Sequence, residues 1–371
     1  YYWSVKTKLS NGGWIKSPEA AAFETGFMKK ASWKGEWITD TYDYNLKPAP
    51  YFRKEFTVQK KITGARVYIA AAGLYELYIN GEKTGDHRLD PMYTRFDRRT
   101  LYVTYDITGK LKTGNNAIGV LLGNGWYNHQ STAVWYFDRA PWRARPKFCL
   151  DLRIMYDDGT EETISTSQNW KTSLSPVIFN SIYTAEHYDA RLEQPEWDKP
   201  GFDDSKWSNS MNTGAPSLNI TAQIMHPVRN VETIAPSKMV QFGTGDYLFD
   251  FGRNISGVTR IKVSGEEGTR IRLIHAEKLD KKGHADQSNI NVHYRPTDDT
   301  DPFQTDILIL SGKKEDEFMP RFNYKGFQYV EVVSDKPVKL TVESMTAYFM
   351  HSDVPPAGKI SSSNDILNRT W

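Results

Sequence analysis

The sequence predicts an all-β protein: two antiparallel, jelly-roll-like β-sandwiches in tandem. Three observations carry that reading. Short runs alternate apolar and polar residues with period two, as half-buried strands do. The runs are separated by turn dipeptides such as Asn80-Gly81, which suits a type I′ hairpin because both residues tolerate positive φ. No segment before residue 361 carries a helical pattern of convincing length.

The elements follow in order. Tyr1 to Val5 reads as an aromatic strand, with a turn at Gly12-Gly13. Trp33 to Val58 leads into the first sandwich, and Phe52 to Val58 alternates. Leu74 to Ile79 places Tyr75, Leu77 and Ile79 on one face; Asn80-Gly81 turns it, and Glu82 to Asp86 returns. Leu101, Val103, Tyr105 and Ile107 mark a further strand. Ala117 to Leu122 is apolar on both faces, as a buried central strand is, and stops at Gly123-Asn124-Gly125-Trp126-Tyr127. Phe148, Leu150, Leu152, Ile154 and Tyr156 give the cleanest alternation, turned by Asp157-Asp158-Gly159 into Thr163-Ile164-Ser165. Asn209 to Asn219, rich in Ser, Asn, Pro and Gly, reads as a linker. The second domain is expected to use Tyr247 to Asn254, then Thr259, Ile261 and Val263, then Thr269 to Leu273, Asp306 to Leu310 and Tyr324 to Val332. Asp280 to Asp301 is polar and aperiodic, an exposed loop. Ser361 to Trp371 reads as a helix start, with Ser363 or Asn364 as N-cap.

Length and composition narrow the function classes. The 371 residues suffice for two to three domains, and 47 basic against 45 acidic residues leave a formal charge of +2. That balance gives no electrostatic case for nucleic acid or an anionic membrane. No run approaches the length of a membrane-spanning helix. The single cysteine, Cys149, excludes disulfides within the chain and thiolate metal clusters, and its strand context reads as a small buried hydrophobe. Eleven Trp residues suit stacking against sugar faces, although rings also fill sandwich cores.

Candidate chemistry is sparse. The adjacent carboxylates Asp157/Asp158, Glu161/Glu162, Asp203/Asp204 and Asp298/Asp299 sit in turn or loop contexts and read as solvated turn residues. His275-Ala276-Glu277 lacks the Pro-Cys-x-x-Cys partner that zinc deaminase chemistry requires. Gly243-Thr244-Gly245 extends to no phosphate-binding fingerprint, and no Gly-x-Ser-x-Gly elbow occurs.

Several blocks carry a family resemblance. Tyr75-Glu76-Leu77-Tyr78-Ile79-Asn80-Gly81, Gly85-Asp86 with Leu89-Asp90-Pro91, Tyr105-Asp106-Ile107-Thr108 and Leu122-Gly123-Asn124-Gly125-Trp126-Tyr127 match in order and spacing. They resemble the N-terminal β-sandwich module of bacterial α-L-rhamnosidases, glycoside hydrolase family 78. Tyr188-Asp189-Ala190-Arg191 and Pro200 to Trp207 resemble the end of that module, and Tyr247 to Asn254 the opening strand of the next.

The resemblance implies an organisation: residues 1–30 a fibronectin-like remnant and linker, 31–212 the N-terminal sandwich, 213–358 a second sandwich supporting a catalytic barrel, and 359–371 the start of that helical barrel. It further implies a parent glycosidase releasing terminal L-rhamnose from plant polysaccharides or glycosides with inversion, periplasmic or secreted, needing no organic cofactor. Inversion requires two carboxyls about 6.5–9.5 Å apart. The family carries them in the barrel, and no matching segment occurs in this chain. Some members bind rhamnose through calcium in the first sandwich. That implies Asn124, Trp126, Tyr127 and Asp90 as substrate-binding candidates and Asp86 and Asn128 as calcium ligands, since hard oxygens suit that ion. A stand-alone carbohydrate-binding module and a purely structural spacer between domains are the alternatives.

Overall fold

The computed structural model describes residues 1–27, 33–294 and 300–370. Nearly every regular element is a strand, and the one α-helix among the described residues is Asp365–Thr370. The Asn364 carboxamide caps that helix by accepting from the Ile366 N–H at 2.9 Å. Trp371, Asp298 and Asp299 lie outside the described residues, as does the expected boundary at residue 30.

The first sandwich packs a seven-stranded sheet on a six-stranded one. The first is centred on Ile62–Ala72 and Lys147–Tyr156; the second places Gly114–Gly123 between Pro50–Val58 and Leu74–Ile79. Phe52, Val67, Ile69, Leu77, Ile118, Val120, Phe148 and Leu150 meet between them with almost no solvent contact. Alternation put these side chains inward. Asn80 (φ 53°) and Gly81 (φ 89°) form the expected left-handed turn, pairing Ile79 with Glu82. Gly159 (φ 79°) turns Lys147–Tyr156 into Glu161–Ser165.

The second domain is a ten-stranded sheet built around Asp246–Val263, Lys325–Ser334, Arg270–Ala276 and Met345–Ser352. The two runs at 247–254 and 259–263, separate in the sequence pattern, are one 18-residue strand whose register breaks between Asp250 and Ile255. Its core is shared with the first sandwich. Tyr51, Leu74 and Leu121, on the outer face of the six-stranded sheet, join Phe249, Phe318, Phe322 and Phe327 in one apolar cluster. This contact is why Ala117 to Leu122 is apolar on both faces.

The chain also crosses between the two units. Val177–Asn180 and Glu186–Asp189, expected within the first sandwich, extend the ten-stranded sheet, with Glu186–Asp189 parallel to Thr305–Ile309. Conversely, Ile220–Ala222, beyond the expected linker, pairs with Thr100–Asp106 of the first sandwich. Residues Ser208–Asn209 and Met211–Asn212 do likewise at its edges. The loop from Asp280 contains a small hairpin, Lys278–Leu279 with Ala285–Asp286, and touches the first sandwich through an Ala133–Tyr294 bridge.

Candidate functional site

The Gly114–Gly123 strand delivers Asn124 to Asn128 to one end of the first sandwich. The site there is made of three kinds of group.

The amides are structural ties. Asn124 is buried; its backbone N–H donates to Asn180 Oδ1 at 2.7 Å and its Nδ2 to the Asn180 carbonyl at 3.0 Å. Asn128 Nδ2 donates to Asn124 Oδ1 and to the Tyr44 carbonyl, both at 3.0 Å, while Arg143 Nε donates to Asn128 Oδ1 at 3.0 Å. These bonds hold the loop against residues 44, 143 and 180.

The carboxylates go elsewhere. Asp90 is buried, facing His87 Nδ1 at 2.6 Å and accepting from Gln223 Nε2 at 2.9 Å and the Tyr105 hydroxyl at 3.3 Å. Asp86 is exposed and accepts from Arg229 Nε at 2.9 Å, which lowers its pKa. Asp86 and Asn128 share no partner, and a guanidinium already occupies an oxygen of each. As arranged, this pair does not fit a shared calcium ion, which needs several oxygens free of competing cations. Among the described residues, no group of three or more His, Cys, Asp or Glu could hold a metal ion.

The rings make a cavity. Trp126 stacks on His129 with centroids 5.2 Å apart and lines a hollow of about 320 Å³ with Tyr93, Phe96, Leu89, Pro91 and Met225. Tyr127 is buried edge-on against Phe96 at 5.0 Å, and burial raises its phenol pKa. Of the six candidates, then, Trp126 reaches the cavity directly, Asp90 stands next to its Pro91 wall, and Asn124, Tyr127 and Asn128 support it. Asp86 is tied to Arg229 instead. His129 is buried with neither ring nitrogen bonded among the described residues. Burial first, and then the Arg143 charge, hold its pKa down at about 4.

His275, Asp158, Asp203 and Asp204 take structural roles. His275 is buried against Phe327 and the Thr259 hydroxyl (2.9 Å). Asp158 pairs with Lys60, Asp203 accepts from the Ser205 N–H, and Asp204 pairs with Arg53.

A charged cluster lies between the two units. Glu186 accepts from the Arg321 and Phe322 N–H groups at 2.9 and 3.0 Å, and Arg321 also approaches Glu76 at 3.8 Å. Arg88 donates to the Pro320 carbonyl at 2.6 Å. Its one sequence signal is a carboxylate, Glu76, within the apolar run Leu74 to Ile79.

Residues 60–232 match the α-L-rhamnosidase N-terminal domain, and residues 240–351 match the bacterial α-L-rhamnosidase concanavalin-like domain. An α-L-rhamnosidase of Formosa agariphila is 31% identical over all of this chain and 41% of its own length. One from Streptomyces avermitilis is 33% identical over 87% of this chain and 31% of its own. The solved α-L-rhamnosidase of Dictyoglumus thermophilum superposes with a TM-score of 0.86 at 37% identity, covering 99% of this chain and 41% of that one. The Streptomyces avermitilis enzyme, solved in complex with L-rhamnose, gives 0.77 at 32% identity over 87% and 30%. The chain thus spans roughly a third to two fifths of the length of the curated relatives it matches.

Proposed function

Since this chain belongs to the bacterial α-L-rhamnosidase family, through the N-terminal and concanavalin-like domains it carries, we propose that it is the accessory β region of an enzyme that hydrolyses terminal α-L-rhamnose from plant polysaccharides or glycosides with inversion. One observation carries the proposal: the two family domains follow each other over 60–232 and 240–351 and share a core.

Inverting hydrolysis needs a protonated and an ionised carboxyl about 6.5–9.5 Å apart with water between them. Asp158, Asp203 and Asp204 are committed to Lys60, Ser205 and Arg53, and the proposal assigns acid and base to a catalytic domain in cis, outside these residues. The accessory region then supports that domain. With a polymeric plant substrate, the proposal favours an enzyme of the periplasm or the cell exterior.

The test is release of p-nitrophenol from p-nitrophenyl α-L-rhamnoside. The 371-residue chain alone is expected to give no rate above the blank, and the same chain spliced in place of its counterpart in the Streptomyces avermitilis enzyme to preserve hydrolysis. Turnover by the chain alone would overturn the assignment.

The Trp126 cavity supports a second role, binding of a rhamnose-containing carbohydrate by the first sandwich. Aromatic walls and a volume of about 320 Å³ suit a sugar face. Titration with L-rhamnose is expected to give binding that Trp126→Ala weakens. Binding indifferent to that change would leave the first sandwich as scaffold.

A further inference from the structure

A second cavity, of about 270 Å³, opens between the two units on the outer face of the six-stranded sheet. The strands contribute Tyr51 and Tyr78, the ten-stranded sheet Tyr188, and the segment 193–198 contributes Trp197 and Asp198, with Arg321 at one side. Trp197 stacks on Tyr51 with centroids 4.0 Å apart and lies edge-on to Tyr78 at 5.4 Å. A glycine makes room for this wall: a Cβ at Gly119 would stand 2.7 Å from the Trp197 ring and 3.2 Å from Asp198.

Most polar groups here are already matched. Tyr78 donates to Glu76 at 2.6 Å and Tyr188 to Glu193 at 3.0 Å. Glu193 pairs with Lys313 at 2.7 Å, Glu196 with Lys199 at 2.8 Å, and Arg321 with Glu186 at 3.3 Å. Three groups are left over, on residues each 8% exposed: the Tyr51 hydroxyl, the Trp197 indole N–H and the Asp198 carboxylate. None has a side-chain partner among the described residues. Burial raises the Asp198 pKa, against its own backbone N–H and the Lys199 and Arg53 charges, which lower it. These groups line the cavity, where a bound molecule can reach them.

We propose that this cavity is a second saccharide subsite, taking one neutral pyranose unit whose hydroxyls donate to Asp198 and accept from Tyr51 and Trp197. The argument rests on the reading of the protein as carbohydrate-active. A few convergent polar groups between aromatic walls is the usual form of a small-ligand site, and the volume lies just below the range of about 300–1,000 Å³ common for larger ligands. The other charges being paired, the single unmatched carboxylate favours neutral sugars over uronates.

The test is an NMR titration of the 371-residue chain with L-rhamnose, D-galactose, D-xylose and D-glucuronate, each separately, in a Trp126→Ala background that weakens the first cavity. At least one neutral sugar is expected to bind, with D-glucuronate weaker. Asp198→Asn should weaken that binding about tenfold, the size of a lost charged hydrogen bond. Tyr51→Phe, which keeps the ring stack and removes only the hydroxyl, should weaken it severalfold and serves as the second variant should Asp198→Asn fail to fold. No neutral-sugar binding in this background, or binding indifferent to the folded variant, overturns the subsite. Rhamnoside hydrolysis by the spliced enzyme is read separately, so failure of the subsite is distinguishable from failure of the family function.

Discussion

Asn124 shows how one residue type serves two ends. In the sequence its amide is a candidate sugar contact; in the fold each of its polar groups is used to fasten the loop to Asn180 and Asn128. Removing the side chain leaves the Asn180 carbonyl and one Asn128 N–H less well bonded in a buried place, which costs about 1–3 kcal/mol per unsatisfied group. Asn124→Ala is therefore expected to lower the unfolding free energy by about that much, read as a lower urea midpoint at unchanged slope, whereas Trp126→Ala acts on the cavity beside it. An unchanged midpoint for Asn124→Ala would show that the amide ties carry little.

The hairpin at Asn80-Gly81 is an element whose whole geometry was legible, because the turn type demands φ above zero at both residues. The structure adds what it is for. The Gly81 N–H donates to the Asp198 carbonyl at 3.1 Å, and a Cβ at Gly81 would stand 2.8 Å from the Lys199 chain. The turn thereby docks the segment that holds Trp197. Gly81→Ala meets both an unfavourable φ and this contact, and an expected cost of about 1–2 kcal/mol should appear in thermal unfolding, together with altered Trp197 environment in near-UV circular dichroism. A variant as stable as the parent would mean that the hairpin can rotate away from Lys199 freely. The helix start at Asn364 was equally readable, since an N-cap is a local matter.

At the scale of the molecule, the shared core and the Glu76–Arg321–Glu186 cluster join the two units. Acid should expose the consequence. Burial holds the pKa of His129 and His187 near 4 and that of His275 near 3, against an ordinary 6.5. The unfolded chain takes up these protons and the folded one resists, so their stabilisation is present above pH 6.5 and is lost as pH falls toward 4. Glu76 adds loss below its ordinary 4.5: burial opposes its ionisation, yet Lys83, Arg321 and Arg88 hold it at about 2. Glu186, raised by burial, opposes the trend. The denaturation midpoint is expected to fall between pH 7 and pH 4.5; a midpoint that rises would mean the raised carboxyls outweigh the three histidines.

The strand alternation of residues 148–156, the type I′ turn and the helix cap could all be read from the chain, because period, φ and capping depend on neighbours a few residues away. The blocks Tyr75 to Gly81 and Leu122 to Tyr127 pointed to the family for the same reason: each is a short, ordered motif. Other features needed the folded chain. Glu186–Asp189 leaves the sandwich that precedes it to pair with Thr305–Ile309, and Ile220–Ala222 returns to Thr100–Asp106. Both are pairings between residues more than a hundred positions apart, which no local pattern specifies. The same distance separates Tyr51 from Trp197 and Glu76 from Arg321. Whether a polar side chain becomes a tie, part of a charged cluster or an unpartnered group in a cavity is set by what packing brings opposite it, and that is decided only when the sheets meet.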